Sequence, residues 1–203
     1  MKITYSQLTL AALLTIGSLA AFSFTVRTAP ETYKVDTQAS IVNWKAYKVT
    51  GEHFGTVAIK SGSLQFTDGN LSGGAFELNM TTIKVLDAQG EWATKLEGHL
   101  KADDFFSVEK NPASQFTITR VASRGTAGNY RITGNLTIKG ITKEIKFDAA
   151  INAADGKATG EAALKVDRTD FNVNFRSDNF FENPGDKTIY EEFDLKVKLV
   201  ASK

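Results

Sequence analysis

An all-β domain, built as a sandwich or a closed barrel, is the fold class the sequence predicts, and three observations point to it. Beyond Pro30, apolar and polar side chains alternate with period two, the mark of strands with one dry and one wet face. Residues that tolerate positive φ or start turns interrupt this alternation at hairpin intervals. One stretch departs from it: from Glu91 to Asp104, Trp92, Leu96 and Leu100 recur every fourth residue. That spacing predicts a single short amphipathic helix, with Gly98 weakening its middle.

The first element in chain order is of another kind. Between Lys2 and Arg27 no residue is charged, and Leu8, Leu10, Leu13, Leu14, Ile16 and Leu19 lead into the small residues Ala20 and Ala21. This reads as a secretory signal peptide over residues 1–27, cleaved between about residues 20 and 29. An uncleaved anchor competes with it, because the uncharged run is long enough to span a bilayer. Cleavage places the domain, residues 31–203, in the periplasm or the external medium. It also removes Lys2 and Arg27, so that a chain with net charge +1 becomes a slightly acidic domain.

The strands follow. Phe76, Leu78 and Met80 alternate with Ala75, Glu77 and Asn79; Phe116 and Ile118 with Thr117 and Thr119; Leu136 and Ile138 with Thr137 and Lys139. Further on, Ile145 and Phe147 face away from Lys146 and Asp148, Leu164 and Val166 from Lys165, and Val173 and Phe175 from Asn174 and Arg176. Phe193, Leu195, Val197 and Leu199 close the series. Short spacings suit an antiparallel meander, with turns expected at Asp68-Gly69-Asn70, Gly73-Gly74, Ala127-Gly128-Asn129, Asp155-Gly156 and Asn183-Pro184-Gly185-Asp186. An outer-membrane barrel would also alternate, but with segments of about ten residues and an apolar outer face. Here the segments read shorter and the wet face carries Lys, Glu and Asp, so the charged face is assigned outward.

Composition excludes several functions. Interleaved charges near balance give no basic stripe for a nucleic acid. With no cysteine there is no disulfide scaffold, thiol nucleophile, lipidated N-terminal cysteine or Cys-ligated metal. His53 and His99 are the only histidines. Grouped with Glu97, Asp103 or Asp104 they would make a nitrogen and oxygen ligand set, but the spacing is not diagnostic, and no metal or cofactor is expected. Each histidine can equally bond a nearby carboxylate and fasten the helix to the sheet. Arg168 and Arg176 are expected to pair with Asp167, Asp170 or Asp178, an anionic ligand headgroup being the rival role. In Phe105-Phe106 and Phe180-Phe181 two adjacent aromatics cannot both point inward on a strand, so each pair lines a mouth or plugs a barrel end.

Several stretches, taken together in order and spacing, carry a family resemblance. They are Val35-Asp36 with Ser40 to Trp44, Gly51-Glu52-His53-Phe54-Gly55 with Gly62, and Met80-Thr81-Thr82-Ile83. Next come Leu96-Glu97-Gly98-His99-Leu100 before Asp104-Phe105-Phe106, then Pro112 before Phe116. Gly134-Asn135-Leu136-Thr137-Ile138-Lys139-Gly140-Ile141-Thr142, Asp167-Arg168-Thr169 and the region from Phe180-Phe181 to Phe193 complete the set. From about Tyr33 to Ala201 the chain resembles the YceI-like family of secreted lipid-binding proteins. It departs from the family at Ala39, where many members have His, and at Asn79, where Asp is frequent.

The resemblance implies a lipocalin-like antiparallel β-barrel with one short helical segment and an elongated apolar tunnel. It further implies a non-catalytic protein that sequesters or carries a polyisoprenoid or other long-chain lipid, with no nucleic acid and no membrane span after leader removal. A homodimer is compatible with it. On this reading Trp44, Phe76, Leu78, Met80, Phe116, Ile118, Ile132, Leu136, Ile138, Phe147 and Phe175 line the tunnel, although a small barrel can also fill itself with such side chains. Two other functions stay open: a small-substrate enzyme using His99 with Asp104 or Glu97, and a solid barrel that contacts another protein.

Overall fold

The structure, a computed structural model, describes residues 28–180 and 185–203. The leader, Phe181 and the start of the turn expected at Asn183-Pro184 lie outside the described residues. The strands are β1 (Glu31–Val35), β2 (Ile41–Lys48), β3 (Gly51–Thr67), β4 (Asn70–Val85), β5 (Ala113–Ser123), β6 (Asn129–Ile138), β7 (Ile141–Ala154), β8 (Lys157–Asp167) and β9 (Ile189–Ser202). One helix, α1 (Gly90–Lys101), and 3-10 turns at Thr169–Phe171 and Gly185–Lys187 stand between them. All strand pairs are antiparallel. Strands β2 to β9 close into a barrel in the order β3-β2-β9-β8-β7-β6-β5-β4, with β4 returning to β3. The closed barrel takes the place of the open choice between sandwich and barrel.

The first strand is broken rather than continuous. β1 and β2 share one place in the wall: β1 pairs with β3 at Tyr33↔Leu64 and with β9 at Val35↔Ala201, while β2 takes over at Val42↔Val57 and Val42↔Val197. Between them Asp36 folds a tight loop, its carboxylate accepting the Gln38 and Ala39 N–H groups at 2.9 and 3.0 Å. The buried Ser40 hydroxyl repairs the ladder, accepting the Val200 N–H at 2.9 Å and donating to the Val200 carbonyl at 3.2 Å. Neither main-chain group of Val200 is left unpaired at the break.

Several sequence expectations change. Strands β3 and β4 run to 17 and 16 residues and β7 and β9 to 14, so length does not separate this barrel from a membrane one. The exposed outer row does, with Lys60, Lys84, Lys146, Glu161 and Lys198 where a lipid-facing wall would be apolar. Gly73-Gly74 is no turn; both residues are buried inside β4, and a Cβ at Gly74 would stand 2.8 Å from the Ser63 carbonyl oxygen. Val173 to Arg176 is no strand, because Asn172 and Arg176 take left-handed φ values of 56° and 52° that end extended backbone on either side. A left-handed pair at Lys139-Gly140, φ 51° and 75°, makes a hairpin turn where only the family motif had marked the spot. The helix ends at Lys101 rather than Asp104. Leu100 is buried and Leu96 half-buried beneath it, but Trp92 points outward and is 61% exposed.

One end of the barrel is packed solid. Leu64, Phe66, Leu71, Tyr130 and Ile132 form its floor, with Tyr33 edge-on to Phe66 at 5.0 Å and the Leu71 N–H donating to the Tyr130 hydroxyl. Helix α1 and the segment after β8 cap the other end, where Phe105, Phe171 and Val173 are buried. What lies between floor and cap positions the site.

Candidate functional site

Inward side chains between floor and cap are half-buried rather than buried. Phe76, Leu78, Phe116, Ile118, Phe147, Leu164, Leu195, Val197 and Leu199 all point inward and retain accessible surface. The cause is a hollow interior of three neighbouring chambers that share wall residues. The first, about 110 Å³, is bounded by Phe76, Leu78, Phe116, Ile118, Ile132, Leu136 and Phe147 with the β8 and β9 row Ala162, Leu164, Leu195 and Val197. The second, about 90 Å³, continues past Trp44, Met80 and Ile138 towards the cap. Leu78, Ser114, Leu136 and Leu195 belong to both and form a waist between them. A third, about 70 Å³, lies under α1 between Trp44, His53, Leu96 and His99.

Ten of the eleven candidate tunnel residues therefore stand on chamber walls, and Phe175 does not. Its ring lies in the cap, 4.6 Å from the His99 ring and 6.3 Å from Phe105, because the left-handed turn at Arg176 folds it onto α1. The sequence reading passed over the other half of the wall. Alternation puts Leu164, Leu195 and Val197 on inward faces without marking them as tunnel wall, and Gly160 and Ala162 on β8 are too small to signal one.

The large rings leave room because each lies against a glycine of the next strand. Trp44 faces Gly55, Phe76 faces Gly62, and Phe116 lies over Gly134, two residues from its Leu136 partner. A Cβ at Gly55 or Gly62 would stand 2.7 Å from the ring opposite it, and one at Gly134 would meet the Phe116 ring. Pressed flat on the wall, the aromatics occupy little of the lumen.

Among the described residues no buried side-chain polar atom is left unpaired in the first two chambers, whereas Lys48, His53 and His99 line part of the third. Ser114, at the waist, donates its hydroxyl to the Thr137 carbonyl at 2.8 Å. The Trp44 indole N–H reaches the Thr56 carbonyl at 3.3 Å. Among the described residues one buried side-chain polar atom lacks a partner, Asn174 Oδ1, and it lies in the cap segment away from the chambers. The first two chambers suit length and apolarity rather than a polar ligand.

The cap explains the remaining candidates. Arg168, 3% exposed, forms none of the expected ion pairs: its guanidinium donates to the carbonyls of Tyr190 (3.1 Å), Ile189 (2.7 Å) and Val173. Burial lowers its pKa, against the nearby Glu191 and Asp167 carboxylates that raise it. The acids expected beside it are engaged elsewhere, Asp167 with Thr169, Asp170 with Lys143 and Asp178 with Thr188. Arg176 instead lies over the Phe175 ring at 4.9 Å. Phe105 is buried and Phe106 half-buried, both on the second chamber's wall, while Phe180 is exposed.

His99 packs edge-on between Phe105 and Phe175, and Glu97 turns away from it to accept the Val85 N–H at 3.1 Å. That bond, ahead of the opposing desolvation and the attraction of Lys84, holds the Glu97 carboxyl below its ordinary range. His53 Nδ1 bonds the Asp87 carboxylate at 2.7 Å. Burial pushes Asp87 up, but the Phe54 N–H and the His53 ring outweigh it and leave the carboxyl lowered. These contacts tie α1 and its leading loop to β3 and β4. Among the described residues no three His, Asp or Glu side chains converge as a metal cluster.

A closed antiparallel barrel with an apolar hollow and a helix across one end defines the class of this protein as a lipocalin-like barrel. The family model of the YceI-like domain matches residues 33–201, and the chain belongs to that family. It is 32% identical over 178 residues to a UPF0312 protein of Pseudomonas putida strain F1, covering 84% of this chain and 87% of that one. It is 31% identical over 166 residues to Protein YceI of Salmonella newport, with 77% and 84% covered. Among solved structures, Burkholderia cenocepacia BcnA superposes with a TM-score of 0.67 at 20% identity, over 83% of this chain and 99% of that chain. A polyisoprenoid binding domain from Saccharophagus degradans gives a TM-score of 0.59 at 13% identity, over 84% and 97%. Both likenesses are of fold.

Proposed function

We infer that the protein is an extracytoplasmic carrier that shields the apolar chain of a polyisoprenoid or similar long-chain lipid, and that it catalyses no reaction. The observation that carries this reading is the lumen: two apolar chambers without an unpaired buried side-chain polar atom. From Ile132 to Ile138 along β6 the wall is about 20 Å long, the reach of an extended hydrocarbon rather than a single ring. Each methylene taken from water contributes about 0.8 kcal/mol, so affinity grows with chain length before the costs of ordering are subtracted. The polyisoprenoid class is favoured by the name of the Saccharophagus degradans neighbour, and the location by the uncharged run before Arg27.

The test is native mass spectrometry of protein purified from its own envelope fraction, followed by organic extraction and N-terminal sequencing. A prenyl lipid is expected in the extract, with the mature chain beginning between about residues 21 and 30. His99→Ala is expected to retain the lipid, whereas a His-dependent enzyme would lose turnover of its substrate. An empty extract, together with no uptake of added polyprenol from detergent, would sink the carrier reading.

A further inference from the structure

The barrel wall is not closed along its whole height. Pairing between β7 and β8 runs from Ala154↔Lys157 at the hairpin only to Ala149↔Ala162. Beyond that point β7 stays paired with β6 as far as Ile141, and β8 with β9 as far as Asp167, but the two strands part from each other. The 3-10 turn at Thr169–Phe171 bridges the top of the parting, with Asp170 3.6 Å from Lys143. The seam in between, from Glu144 to Asp148 on β7, is about 13 Å tall at the usual rise of a strand.

Charge encodes the parting. The same register, continued upward, would set Lys146 directly opposite Lys165 and Glu144 opposite Asp167, and like charges directly opposed destabilise a strand pair. Each charge finds another partner with the seam open: Lys165 reaches Glu192 at 3.1 Å and Asp194 at 3.8 Å on β9, and Lys146 reaches Glu144 at 2.9 Å on its own strand. Lysines on unpaired strand edges also deter the addition of a foreign strand. The seam is thus favoured locally and protected from aggregation.

The inner face of the seam belongs to the first chamber. Ile145, Phe147 and Leu164 flank it, all half-buried and all on the chamber wall. On the outside a wide concavity of about 610 Å³ crosses β9, β8 and β7, and it shares Ala149, Glu161, Ala162 and Val197 with the chamber. At Ala149 and Ala162 only a methyl group on each strand stands between the two. The cap offers a poorer route, because the His99, Phe105 and Phe175 rings close on one another there and Arg168 clamps the segment behind them.

We propose that the β7–β8 seam is a lateral portal through which a prenyl or alkyl chain slides sideways into the barrel, with Ile145, Phe147 and Leu164 as its shutters. The proposal rests on the carrier reading above and adds the route to it. Sideways passage needs only rotation of three side chains and slight splaying of two strand ends that share no hydrogen bonds. Insertion through the cap would require α1 or the Arg168 segment to detach.

The absence of native cysteine makes the test clean. In Lys146→Cys/Lys165→Cys the seam can be closed by oxidation or by a short bis-maleimide and the closure read by thiol titration. In Lys84→Cys/Glu97→Cys, whose native side chains lie 3.4 Å apart, the same treatment ties α1 to β4 at the cap without touching a chamber wall. The probe is geranylgeraniol carrying a small fluorophore, followed by stopped-flow fluorescence. Closing the seam is expected to slow uptake by about tenfold or more, reversed by reductant for the disulfide, while the cap tether leaves the rate unchanged. Lys146→Glu, which sets opposite charges across the seam, is expected to slow uptake without any cross-link.

Hydrogen exchange supplies an independent reading. The amides of Glu144 to Asp148 and Ala163 to Asp167 that face the seam are expected to exchange fast, and protection there as strong as in β6 would overturn the seam itself. Unchanged uptake after closure, or uptake blocked only by the cap tether, overturns the portal while leaving the carrier reading intact. Failure of the unmodified protein to take up the probe overturns the carrier reading and its portal together.

Discussion

At the scale of single residues, the polar side chains inside this barrel serve the backbone. Arg168 is the clearest case: a buried cation whose donors go to three main-chain carbonyls, holding the start of β9 against the segment after β8. Arg168→Met leaves those carbonyls buried without donors, and hydrogen bonds to charged groups are worth about 1.5–3 kcal/mol each before relaxation. A loss of about 3 kcal/mol in urea denaturation is expected, against about 0.5 kcal/mol for Arg176→Met, whose guanidinium only covers an aromatic face. Equal losses would mean that the carbonyl clamp contributes nothing particular. Ser40 acts in the same way at the break between β1 and β2. Ser40→Ala strands the Val200 N–H and is expected to cost about 1–2 kcal/mol, read in the same experiment. Neither role was legible in the sequence. An arginine beside three aspartates reads as an ion pair, and only the fold reveals that carbonyls of the neighbouring β9 and of Val173 are the partners.

At the scale of elements, period two carried most of the wall, because one face of each strand is dry and alternation is its direct consequence. It failed where the chain leaves regular pairing. Val173 and Phe175 alternate with polar neighbours as a strand would, but left-handed residues on either side bend them into the cap. The glycines at 55, 62 and 134 stand out in the sequence only as parts of the family motifs, whereas each is the floor on which an aromatic ring lies; cross-strand neighbours cannot be read from one strand alone. Gly134→Ala tests this. Its Cβ would overlap the Phe116 ring, and the ring's escape is into the lumen, so the variant should lose about 1–3 kcal/mol and also take up less ligand.

The helix is bound to the wall by acids, which gives it a pH dependence of known sign. Glu97 and Asp87 both titrate below their ordinary values of 4.5 and 3.8. A carboxylate lowered by folding contributes stability that is complete above its unfolded pKa and lost as pH falls through the folded one. The attachment of α1 should therefore be intact above about pH 5 and fade below about pH 4. Thermal midpoints followed by circular dichroism from neutral to acid pH check this. Glu97→Gln should lower the midpoint at neutral pH and flatten its acid decline; an unaltered slope in that variant would remove Glu97 from the account.

At the scale of the whole molecule, the hollow barrel trades stability for capacity. A cavity in an apolar core costs about 24 cal/mol per Å³, so the first chamber alone, at about 110 Å³, costs roughly 3 kcal/mol relative to a filled core. A sequence selected for stability alone would fill it, for instance by enlarging Ala162 or Gly160. The narrow waist turns this into a prediction about ligand length. Leu195 stands on both chambers at their junction, beside Leu78, Leu136 and the satisfied Ser114. Leu195→Trp adds bulk where the lumen is thinnest and should leave the first chamber open to a short chain while barring a long one from the second. Overpacking at the waist should cost no more than about 1–3 kcal/mol, because the larger ring can lean into open space on either side. Titrated with geraniol and with a long polyprenol, the variant is expected to keep its affinity for the first and lose that for the second by about tenfold or more, the worth of two buried methylenes. Loss of both would place the ligand at the waist itself, and loss of neither would mean that long chains do not pass from the first chamber to the second.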